Sequence, residues 1–411
     1  MFNGRDLSGW WGLSTEDPAK WGALSPEEFA KKKAASLEDI RKHWRVEGED
    51  LVNDGDGLYL TTDKNYGDFE LDLEYRTVAG ADSGVYLRAI PQVQIWDTTK
   101  AGGKWGGDLG SEYGSGGLWN NTKGNPGKNP LVLADKPFGQ WNQFHVRMVG
   151  ERVSVWLNNQ LVVDHARLEN YFNRKAPVPK TGPIQLQTHG GEIRWRDLFI
   201  REIPAPEANA LLRQADRAAG YYPILSEATG TKGWAGPIAD YDFEGGVLRC
   251  KPGKGGTVFY QTEEYSDFTA LLDFRLPPGG NNGLAIRYPG TNDTAYAGMC
   301  ELQVLDDNYE KATNSKIDAR QAHGSAYGMV AAHRGFQRPI GEWNYQRVTV
   351  RGSRIEVELN GTRILDANLA DVKEFMANSA HPGKDRTKGY FGFAGHNDPV
   401  EFRQVEVKRL D

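Results

Sequence analysis

The chain repeats one pattern over its two halves, and this repeat limits the folds that it can adopt. The best-matched block begins at Trp141-Asn142 and returns without a gap at Trp343-Asn344. Each copy is far longer than the ~20–50 residues of a solenoid repeat, so the copies are expected to be domains of one fold. Further landmarks recur in the same order, namely Leu7–Trp10 with Thr231–Trp234, Tyr66–Phe69 with Tyr265–Phe268, Gly84 with Gly283, Arg88 with Arg287, Gln94 with Gln303, Asp97 with Asp306 and His189 with His396. The repeat predicts a first domain over residues 1–203, a linker over 204–222 and a second domain over 223–411.

Both copies have the alternation of a half-buried strand. Phe69, Leu71, Leu73 and Tyr75 alternate with charged residues, and side chains one apart point to opposite faces of a strand. The pair Asn360-Gly361 in the second copy is the strongest short hairpin signal. Many short strands joined by such turns predict an all-β fold, a sandwich or a barrel.

Two stretches of the first copy have no counterpart in the second. Ser25-Pro26-Glu27-Glu28 has the N-cap serine, first-turn proline and N3 glutamate of a helix start, so we predict an inserted helix over residues 25–42. We expect this helix to cover an edge or the mouth of the domain. The second insertion, residues 102–130, is rich in Gly, Asn and Trp, and a loop of this length is usually functional.

Composition narrows the partners and the compartment. The chain has 411 residues and a net charge of −6, and no basic run stands out beyond Lys31-Lys32-Lys33, which argues against nucleic acid as a partner. No stretch approaches the ~18 apolar residues of a membrane span. Cys250 and Cys300 are too few for a cysteine zinc site, and we expect buried thiols rather than a disulfide.

The stretch from Ala81 to Asp97 is the strongest functional signal. We predict two strands hinged at Pro91, with Tyr86 and Arg88 on one face of the first. On the second strand, Gln92, Gln94 and Trp96 share a face. Amides, charged groups and a flat aromatic platform on one sheet surface are what a sugar needs. The alternative is an ordinary half-solvated strand pair.

A set of motifs carries a family resemblance. They are Leu7–Trp10, Asp82–Arg88, Gln92–Asp97, Gly139–Asn142, Leu157-Asn158 and Leu186–Arg196. Together they resemble the 3-keto-disaccharide hydrolase domain family over nearly all of the first copy. The second copy resembles it more loosely and departs at Gly395-His396-Asn397. The resemblance implies concanavalin-like jelly-roll sandwiches and bacterial carbohydrate breakdown. It also implies a periplasmic or extracellular location, on which the lack of a signal peptide before the first motif says little.

The chemistry that the resemblance implies is cleavage of a glycoside oxidised at C3. The carbonyl acidifies the hydrogen on C2, a base removes it, the glycosidic oxygen leaves C1, and water then adds back. We assign His189 and Asp97 as base candidates and Arg88 as the oxyanion-binding group. Each has a plain structural alternative, as a capping histidine, a turn aspartate and an ion-paired arginine. The expected substrate-binding residues are Gln94, Trp96, Trp119, Gln187 and Tyr86, and the expected second-copy equivalents are Arg287, Glu301, Gln303, Asp306 and His396.

We expect the first-copy residues to converge on one pocket walled by the 102–130 insertion. The family pattern has Glu two residues before the Gln of the second strand, where the first copy has Gln92 and the second has Glu301. Each copy thus lacks one family feature, and we favour the first as the active one. A divalent metal ion could also polarise the enediolate, although no ligand spacing is diagnostic.

Two other functions stay open. Glu70, Asp72 and Glu74 share a strand face, as the catalytic carboxylates of some sandwich-fold retaining glucanases do. The second copy has Thr269, Leu271 and Asp273 there, which favours a solvated face over a catalytic one. The other alternative is a lectin-like module that binds a sugar without cleaving it.

Overall fold

The computed structural model describes residues 1–99, 110–217 and 219–410. The chain divides into two compact units, Met1–Pro204 and Ala205–Asp411, called unit 1 and unit 2 below. Both are mostly β, as the sequence predicts. The predicted linker is wrong over most of its length, because residues 205–222 contain a helix and the start of a strand that belong to unit 2.

Unit 1 has two sheets, and its two helices both lie in the first quarter of its sequence. Its helices are α1 (Pro18–Trp21) and α2 (Pro26–His43), and Ser111–Tyr113 forms a 3-10 turn. Its strands are β1 (Trp10–Leu13), β2 (Trp44–Glu47), β3 (Asp50–Asn53), β4 (Tyr59–Thr62), β5 (Phe69–Thr77), β6 (Asp82–Leu87), β7 (Ile90–Trp96), β8 (Asn142–Val149), β9 (Arg152–Leu157), β10 (Gln160–Arg167), β11 (Gln185–Leu186) and β12 (Ile193–Glu202).

Unit 2 has the same plan with small additions. Its helices are α3 (Ala205–Asp216), α4 (Thr294–Ala297) and α5 (Tyr309–Thr313), with 3-10 turns at Ile238–Asp240, Ala319–Gln321, Leu369–Asp371 and Met376–Asn378. Its strands are β13 (Tyr222–Leu225), β14 (Trp234–Ala235), β15 (Tyr241–Glu244), β16 (Val247–Cys250), β17 (Gly255–Tyr260), β18 (Phe268–Arg275), β19 (Asn281–Tyr288), β20 (Cys300–Leu305), β21 (Asn344–Arg351), β22 (Arg354–Leu359), β23 (Thr362–Asn368), β24 (Tyr390–His396) and β25 (Glu401–Arg409).

Each unit is a two-sheet antiparallel sandwich. In unit 1 a five-stranded sheet, β1-β4-β11-β6-β7, faces a seven-stranded sheet, β10-β9-β8-β5-β12-β3-β2. In unit 2 the corresponding sheets are β14-β17-β24-β19-β20 and β15-β16-β25-β18-β21-β22-β23, with β13 also paired to β25. The apolar inner faces form one buried core per unit. The outer face of each five-stranded sheet is left for polar side chains.

The charged face of β5 carries several surface ion pairs. Glu70 contacts Arg147 and Arg201, Glu74 contacts Arg196, and Asp72 contacts His145. These side chains project outward from the seven-stranded sheet and do not line the pocket described below, so the structure offers no support for the glucanase assignment of Glu70, Asp72 and Glu74.

In unit 2 the helix α3 explains why the same face carries fewer charges. Asn209 donates to the carbonyl of Trp343, and Arg213 pairs with Asp273 at 2.7 Å. Leu271 is fully buried, which is unusual for a residue on an outer face. The face that unit 1 solvates with ion pairs is therefore partly covered in unit 2.

The inserted helix α2 lies along the edge strand β1. Its capping box forms as predicted, with Ser25 accepting from the Glu28 amide and Glu28 accepting from the Ser25 amide. The Ser36 hydroxyl accepts from the amide of Gly12 at 2.9 Å, and Ile40 is buried. The helix thus supplies a partner to a strand edge that would otherwise be open.

The turn between β6 and β7 is not at Pro91. Arg88 and Ala89 both have positive φ, 55° and 62°, and form a two-residue hairpin turn. Pro91 lies inside β7, where Val85 pairs with Val93 but Leu87 pairs with Ile90, so the register shifts by one residue. Such a bulge tolerates a residue without an N–H group.

Three other predictions meet the structure here. Cys250 and Cys300 are free, buried thiols. Among the described residues, no helix is long and apolar enough to cross a membrane. Part of the predicted insertion 102–130 lies outside the described residues, and its described part begins at Gly110.

Candidate active site

A pocket lies on the outer face of the five-stranded sheet of unit 1. Strand alternation places Asp82, Gln92 and Gln94 on this face, while Val93 and Ile95 enter the core. The cavity measures about 170 Å³. Its walls are Thr15, Tyr59, Asp82, Tyr86, Pro91, Gln92, Gln94, Trp96, Trp119, Tyr171, Gln187 and His189. Six of the eight predicted first-copy site residues therefore line this pocket, and the two exceptions, Arg88 and Asp97, are described below.

A hydrogen-bond chain links the titratable groups to the amides. The Nδ1 atom of His189 lies 2.5 Å from Oδ2 of Asp82. The other oxygen of Asp82 accepts from Nε2 of Gln94 at 2.7 Å, and Gln94 in turn accepts from Gln92. Asp82 is 7% exposed and His189 is 44% exposed, so the carboxylate is held behind an accessible imidazole. This is the arrangement in which a carboxylate fixes the tautomer and orientation of a histidine.

The floor of the pocket offers groups for sugar hydroxyls. The Oε1 atom of Gln187 is buried and has no hydrogen-bond partner within the part of the chain that the structure describes. The hydroxyl of Tyr86 lies 2.7 Å from that of Thr15. Burial raises the pKa of Tyr86, so its phenol stays protonated at neutral pH.

Aromatic rings form one wall. The rings of Trp119 and Tyr171 lie 6.4 Å apart, and Nζ of Lys128 is 5.5 Å from the Trp119 ring. The indole of Trp96 donates to the carbonyl of Gly114 at 3.0 Å, which fixes its plane. Fixed rings beside amide groups suit the apolar face and the hydroxyl edge of a pyranose.

Arg88 does not belong to this pocket, so its assignment as the oxyanion-binding group is wrong. Its guanidinium is 1% exposed and donates to the carbonyls of Gly67 and Pro179 and to Oδ1 of Asp68. Because Arg88 is the first residue of the hairpin turn, strand alternation no longer applies to it. It ties the turn to neighbouring loops inside the protein.

Asp97 is also outside the pocket, so the structure does not place it as a base. Its carboxylate accepts from the amide of Gly80 at 2.9 Å and from the amide and hydroxyl of Thr99. These contacts close the loop before β6 and the turn after β7. Asp82, which the sequence places in a motif but not among the candidates, supplies the carboxylate at this site instead.

Unit 2 has a corresponding pocket on its own five-stranded sheet. It measures about 470 Å³ on the same scale and includes Glu301, Gln303, Tyr327 and His396. The Nε2 atom of His396 lies 3.4 Å from Oε1 of Glu301. That hydrogen bond raises the pKa of His396, although burial opposes it. The remaining lining residues are Asn281, Asp293, Ala295, Tyr296, Leu305, Tyr309, Ser315, Lys316, Ile317 and Gln321.

The two pockets can be superposed position by position from their strand pairing. Gly84 pairs with Gln94, and Gly283 pairs with Gln303. Counting from these pairs, Asn281 of unit 2 stands where unit 1 has Asp82, and Glu301 stands where unit 1 has Gln92. Each pocket therefore has one carboxylate beside its histidine, but from a different strand.

The predicted second-copy roles of Arg287 and Asp306 are wrong for the same reasons as in unit 1. Arg287 is 2% exposed and donates to the carbonyls of Ser266, Gly352 and Arg386. Asp306 accepts from the amides of Gly279 and Asn308. Both residues hold loops.

Among the described residues, no three His, Cys, Asp or Glu side chains lie close enough together to hold a metal ion. Each pocket pairs one histidine with one carboxylate at its centre.

Sandwiches with aromatic-walled polar pockets on one sheet define a class of carbohydrate-active β-proteins. The model of the 3-keto-alpha-glucoside-1,2-lyase-like domain matches residues 1–201 and again residues 224–408. The chain therefore belongs to this family, with one copy of the domain in each unit, and the resemblance seen in the sequence is confirmed.

Similar proteins come from Bacteroides thetaiotaomicron, Parabacteroides distasonis and Bacillus subtilis. A 3-keto-disaccharide hydrolase of Bacteroides thetaiotaomicron is 25% identical over 272 residues, which cover 56% of this chain and 92% of that protein. A crystal structure from Parabacteroides distasonis, of a protein assigned as a glycosyl hydrolase, is 25% identical and covers 46% of this chain and 99% of its own, with a TM-score of 0.41. The carbohydrate-binding module CBM66 of Bacillus subtilis is 16% identical over 46% of this chain and 95% of its own, with a TM-score of 0.26.

Proposed function

We propose that unit 1 cleaves 3-keto-glycosides, with His189 as the base that removes the proton from C2. The observation that supports this most directly is the His189–Asp82 contact at 2.5 Å inside a pocket lined by amides and aromatic rings. The family and the named Bacteroides relative supply the substrate class.

The base needs its lone pair on the substrate side. A carboxylate that accepts from Nδ1–H leaves the lone pair of the neutral imidazole on Nε2. When the C2–H bond breaks, the proton goes to the imidazole and the electron pair forms the C2–C3 double bond, which leaves the negative charge of an enediolate on the C3 oxygen. The C3 carbonyl then reforms, the electron pair moves to form the C1–C2 double bond as the C1–O bond breaks, and the departing oxygen takes a proton to leave as an alcohol. The imidazolium formed in between is stabilised by the Asp82 carboxylate.

Because Arg88 does not line the pocket, other groups must donate hydrogen bonds to the enediolate oxygen. The protonated phenol of Tyr86 and the amide groups of Gln92 and Gln187 are the donors that line the pocket. A sugar hydroxyl would donate to the Oε1 atom of Gln187, which has no partner among the described residues. Trp119 and Tyr171 would stack on the ring that loses its proton.

The decisive experiment incubates the full chain with a 3-keto-disaccharide and with its unoxidised parent, with and without a chelator. We expect release of the second sugar from the oxidised compound alone. H189A should remove most of this turnover, because general-base catalysis contributes ~10²–10⁴-fold. H145A is the matched control, since His145 lies on the opposite sheet and contacts Asp72.

Other outcomes identify the competing functions. Binding of both sugars without turnover, weakened more by W119A than by H189A, would establish the lectin-like alternative. Loss of turnover in the chelator would show that a divalent metal ion is required. Unchanged turnover in H189A would remove the proposed base. The predicted periplasmic or extracellular location belongs to the same proposal and is tested by fractionating cells that express the native gene.

A further inference from the structure

We propose that unit 2 holds a second, independent catalytic site, built on His396 and Glu301, that takes 3-keto-glycosides with a bulkier leaving group than unit 1 accepts. The chemistry of this site rests on the proposed function, whereas its existence as a sugar site rests on the geometry of unit 2 alone. Four observations support it.

The first observation is the histidine–carboxylate pair itself. His396 is 45% exposed and Glu301 is 5% exposed, closely matching His189 and Asp82 at 44% and 7%. The histidines occupy equivalent positions. Gly84 accepts from the amide of Gln187, which lies two residues before His189. The equivalent Gly283 pairs with Ala394, which lies two residues before His396. Unit 2 therefore keeps an accessible imidazole backed by a buried carboxylate.

The second observation explains how the carboxylate can come from the farther strand. The strand order β24-β19-β20 places β19 between the histidine strand and the Glu301 strand. The Glu301 side chain crosses directly over Gly283, where a Cβ atom would clash with it. Glutamate is one methylene longer than aspartate, and the bare glycine leaves its path open. The exchange of Asp82 for Glu301 thus preserves the pair.

The third observation is a buried polar atom that lacks a partner. The Oε1 atom of Gln303 is buried, and no described residue donates to it. Its Nε2 group donates to Oδ1 of Asn281 at 2.6 Å, which fixes the amide with Oε1 as the remaining acceptor. A buried acceptor without a donor is costly, and a sugar hydroxyl in the pocket would satisfy it.

The fourth observation is the size and charge of the cavity. Three positions that narrow unit 1 hold smaller side chains in unit 2, with Leu305 for Trp96, Tyr327 for Trp119 and Ala394 for Gln187. The volume rises from about 170 to about 470 Å³. Among its lining residues, the carboxylates of Asp293 and Glu301 outnumber the single ammonium group of Lys316, which disfavours an anionic sugar. This favours a neutral, bulky glycoside.

The reaction is the one written for unit 1, except that Glu301 accepts from Nε2–H of His396, which leaves the lone pair of the neutral imidazole on Nδ1. The C2 proton goes to that nitrogen, the enediolate forms, and its collapse forms the C1–C2 double bond as the C1–O bond breaks and the departing oxygen takes a proton. A compact substrate makes few contacts in so wide a cavity, so kcat/KM separates the two sites better than kcat does.

The test compares two substrates oxidised at C3 of the non-reducing sugar, a disaccharide and a pentasaccharide. H396A should lower kcat/KM for the pentasaccharide at least ~10-fold and for the disaccharide less than ~2-fold, and H189A should do the reverse. If H396A changes neither value, or if H189A/H396A is no worse than H189A on the pentasaccharide, the second site does not exist.

Cavity size is tested by a reciprocal pair of variants. L305W narrows unit 2 and should depress pentasaccharide turnover, while W96L opens unit 1 and should raise it. Melting curves check that both variants fold, and E301Q, which adds no bulk, provides a second way to inactivate unit 2. Equal turnover of both substrates in L305W and the wild type, with an unchanged melting temperature, would contradict the size argument.

Failure of the proposed function gives a different pattern. If the wild type cleaves neither oxidised substrate, calorimetric titration with the unoxidised pentasaccharide tests unit 2 as a sugar site. Binding that Q303A weakens and Q187A leaves unchanged would retain the site without the chemistry. Binding unaffected by Q303A, or no binding at all, would remove both.

Discussion

The two units place a carboxylate beside the same histidine from different strands. In unit 1 the group is Asp82 on β6, and in unit 2 it is Glu301 on β20. The positions exchanged are taken by amides, Gln92 and Asn281, which keep hydrogen-bonding groups but remove the charge. The pair thus depends on the distance between the carboxylate and the imidazole and not on one sequence position.

The buried arginines of the hairpin turns are the same in both units, and they show which residues maintain the fold. Arg88 and Arg287 have φ of 55° and 48°, and both donate to the carbonyl of the second residue of the Tyr-x-Asp-Phe motif, Gly67 in unit 1 and Ser266 in unit 2. A residue that repeats this faithfully, fully buried among carbonyls, belongs to the fold. What the units share most closely is structural, and what they vary is the pocket.

The largest effect should come from removing one of these arginines. In R88A, the carbonyls of Gly67 and Pro179 and the carboxylate of Asp68 lose a buried cationic donor. We expect a loss of about 3–5 kcal/mol in unfolding free energy, measured by urea denaturation. R287A should do the same in unit 2.

Arginine-to-lysine variants sharpen this prediction. R88K keeps the charge but cannot reach several acceptors at once, so we expect most of the loss to remain. A folded R88A protein with wild-type stability and no turnover would return Arg88 to the role predicted from the sequence.

The next largest effect concerns the carboxylate of unit 1. D82N keeps the shape of the side chain but removes the charge that stabilises a protonated His189 and presents a group that can hold the wrong tautomer. We expect kcat/KM for a 3-keto-disaccharide to fall ~10²–10³-fold, about 3–4 kcal/mol in transition-state energy.

The double variant D82N/Q92E then transfers the unit 2 arrangement into unit 1. Gly84 lies beneath Gln92 as Gly283 lies beneath Glu301, so the new carboxylate has an open path. We expect it to recover at least ~10-fold of the lost kcat/KM. No recovery, with the fold intact by circular dichroism, would show that the two strand positions are not equivalent.

These residues also show what the sequence could and could not predict. The repeat and the strand alternation fixed the two sandwiches and put Gln94, Trp96 and Gln187 on one face, because a period of two needs no tertiary information. The turn at Arg88-Ala89 was missed since neither residue favours positive φ, and the conformation is maintained by long-range hydrogen bonds from the guanidinium.

The site was predicted in part for a related reason. Asp97 ends the second strand of the stretch Ala81–Asp97, which places it near the predicted pocket in the sequence, whereas its contacts are local turn contacts. Asp82 begins β6, and its spacing of two residues from Gly84 and four from Tyr86 places it on the pocket face. The helix α3 was assigned to a linker because its packing against Trp343 and Asp273 is not visible in its own sequence.

A smaller effect should appear in the pH dependence of unit 2. The hydrogen bond with Glu301 raises the pKa of His396, burial opposes it, and the carboxylates of Asp293 and Asp398 add to the rise. A base works when deprotonated, so the rising limb of kcat/KM, measured in an H189A background, should lie above the ordinary value of ~6.5. E301Q removes the main cause and should shift the limb of any residual turnover to lower pH. The stability gained from the pair is complete below the unfolded pKa and is lost as the pH rises through the folded one.

The smallest effect should come from the carboxylates of β5, two of which are replaced by Thr269 and Leu271 in the second copy. Burial favours the neutral form of Glu70, but hydrogen bonds from Arg201 and Arg147 outweigh it and lower its pKa. E70Q removes the partly exposed ion pairs of Glu70, and we expect this to lower the free energy of unfolding by less than about 1 kcal/mol at neutral pH. Because the folded pKa is lowered, this contribution is present above the unfolded pKa and disappears as the pH falls through the folded one.

Turnover of a 3-keto-disaccharide should be unchanged, and laminarin should not be cleaved by E70Q or the wild type. Laminarin cleavage that E70Q abolishes would move the chemistry to the seven-stranded sheet and end the comparison of the two pockets as active sites.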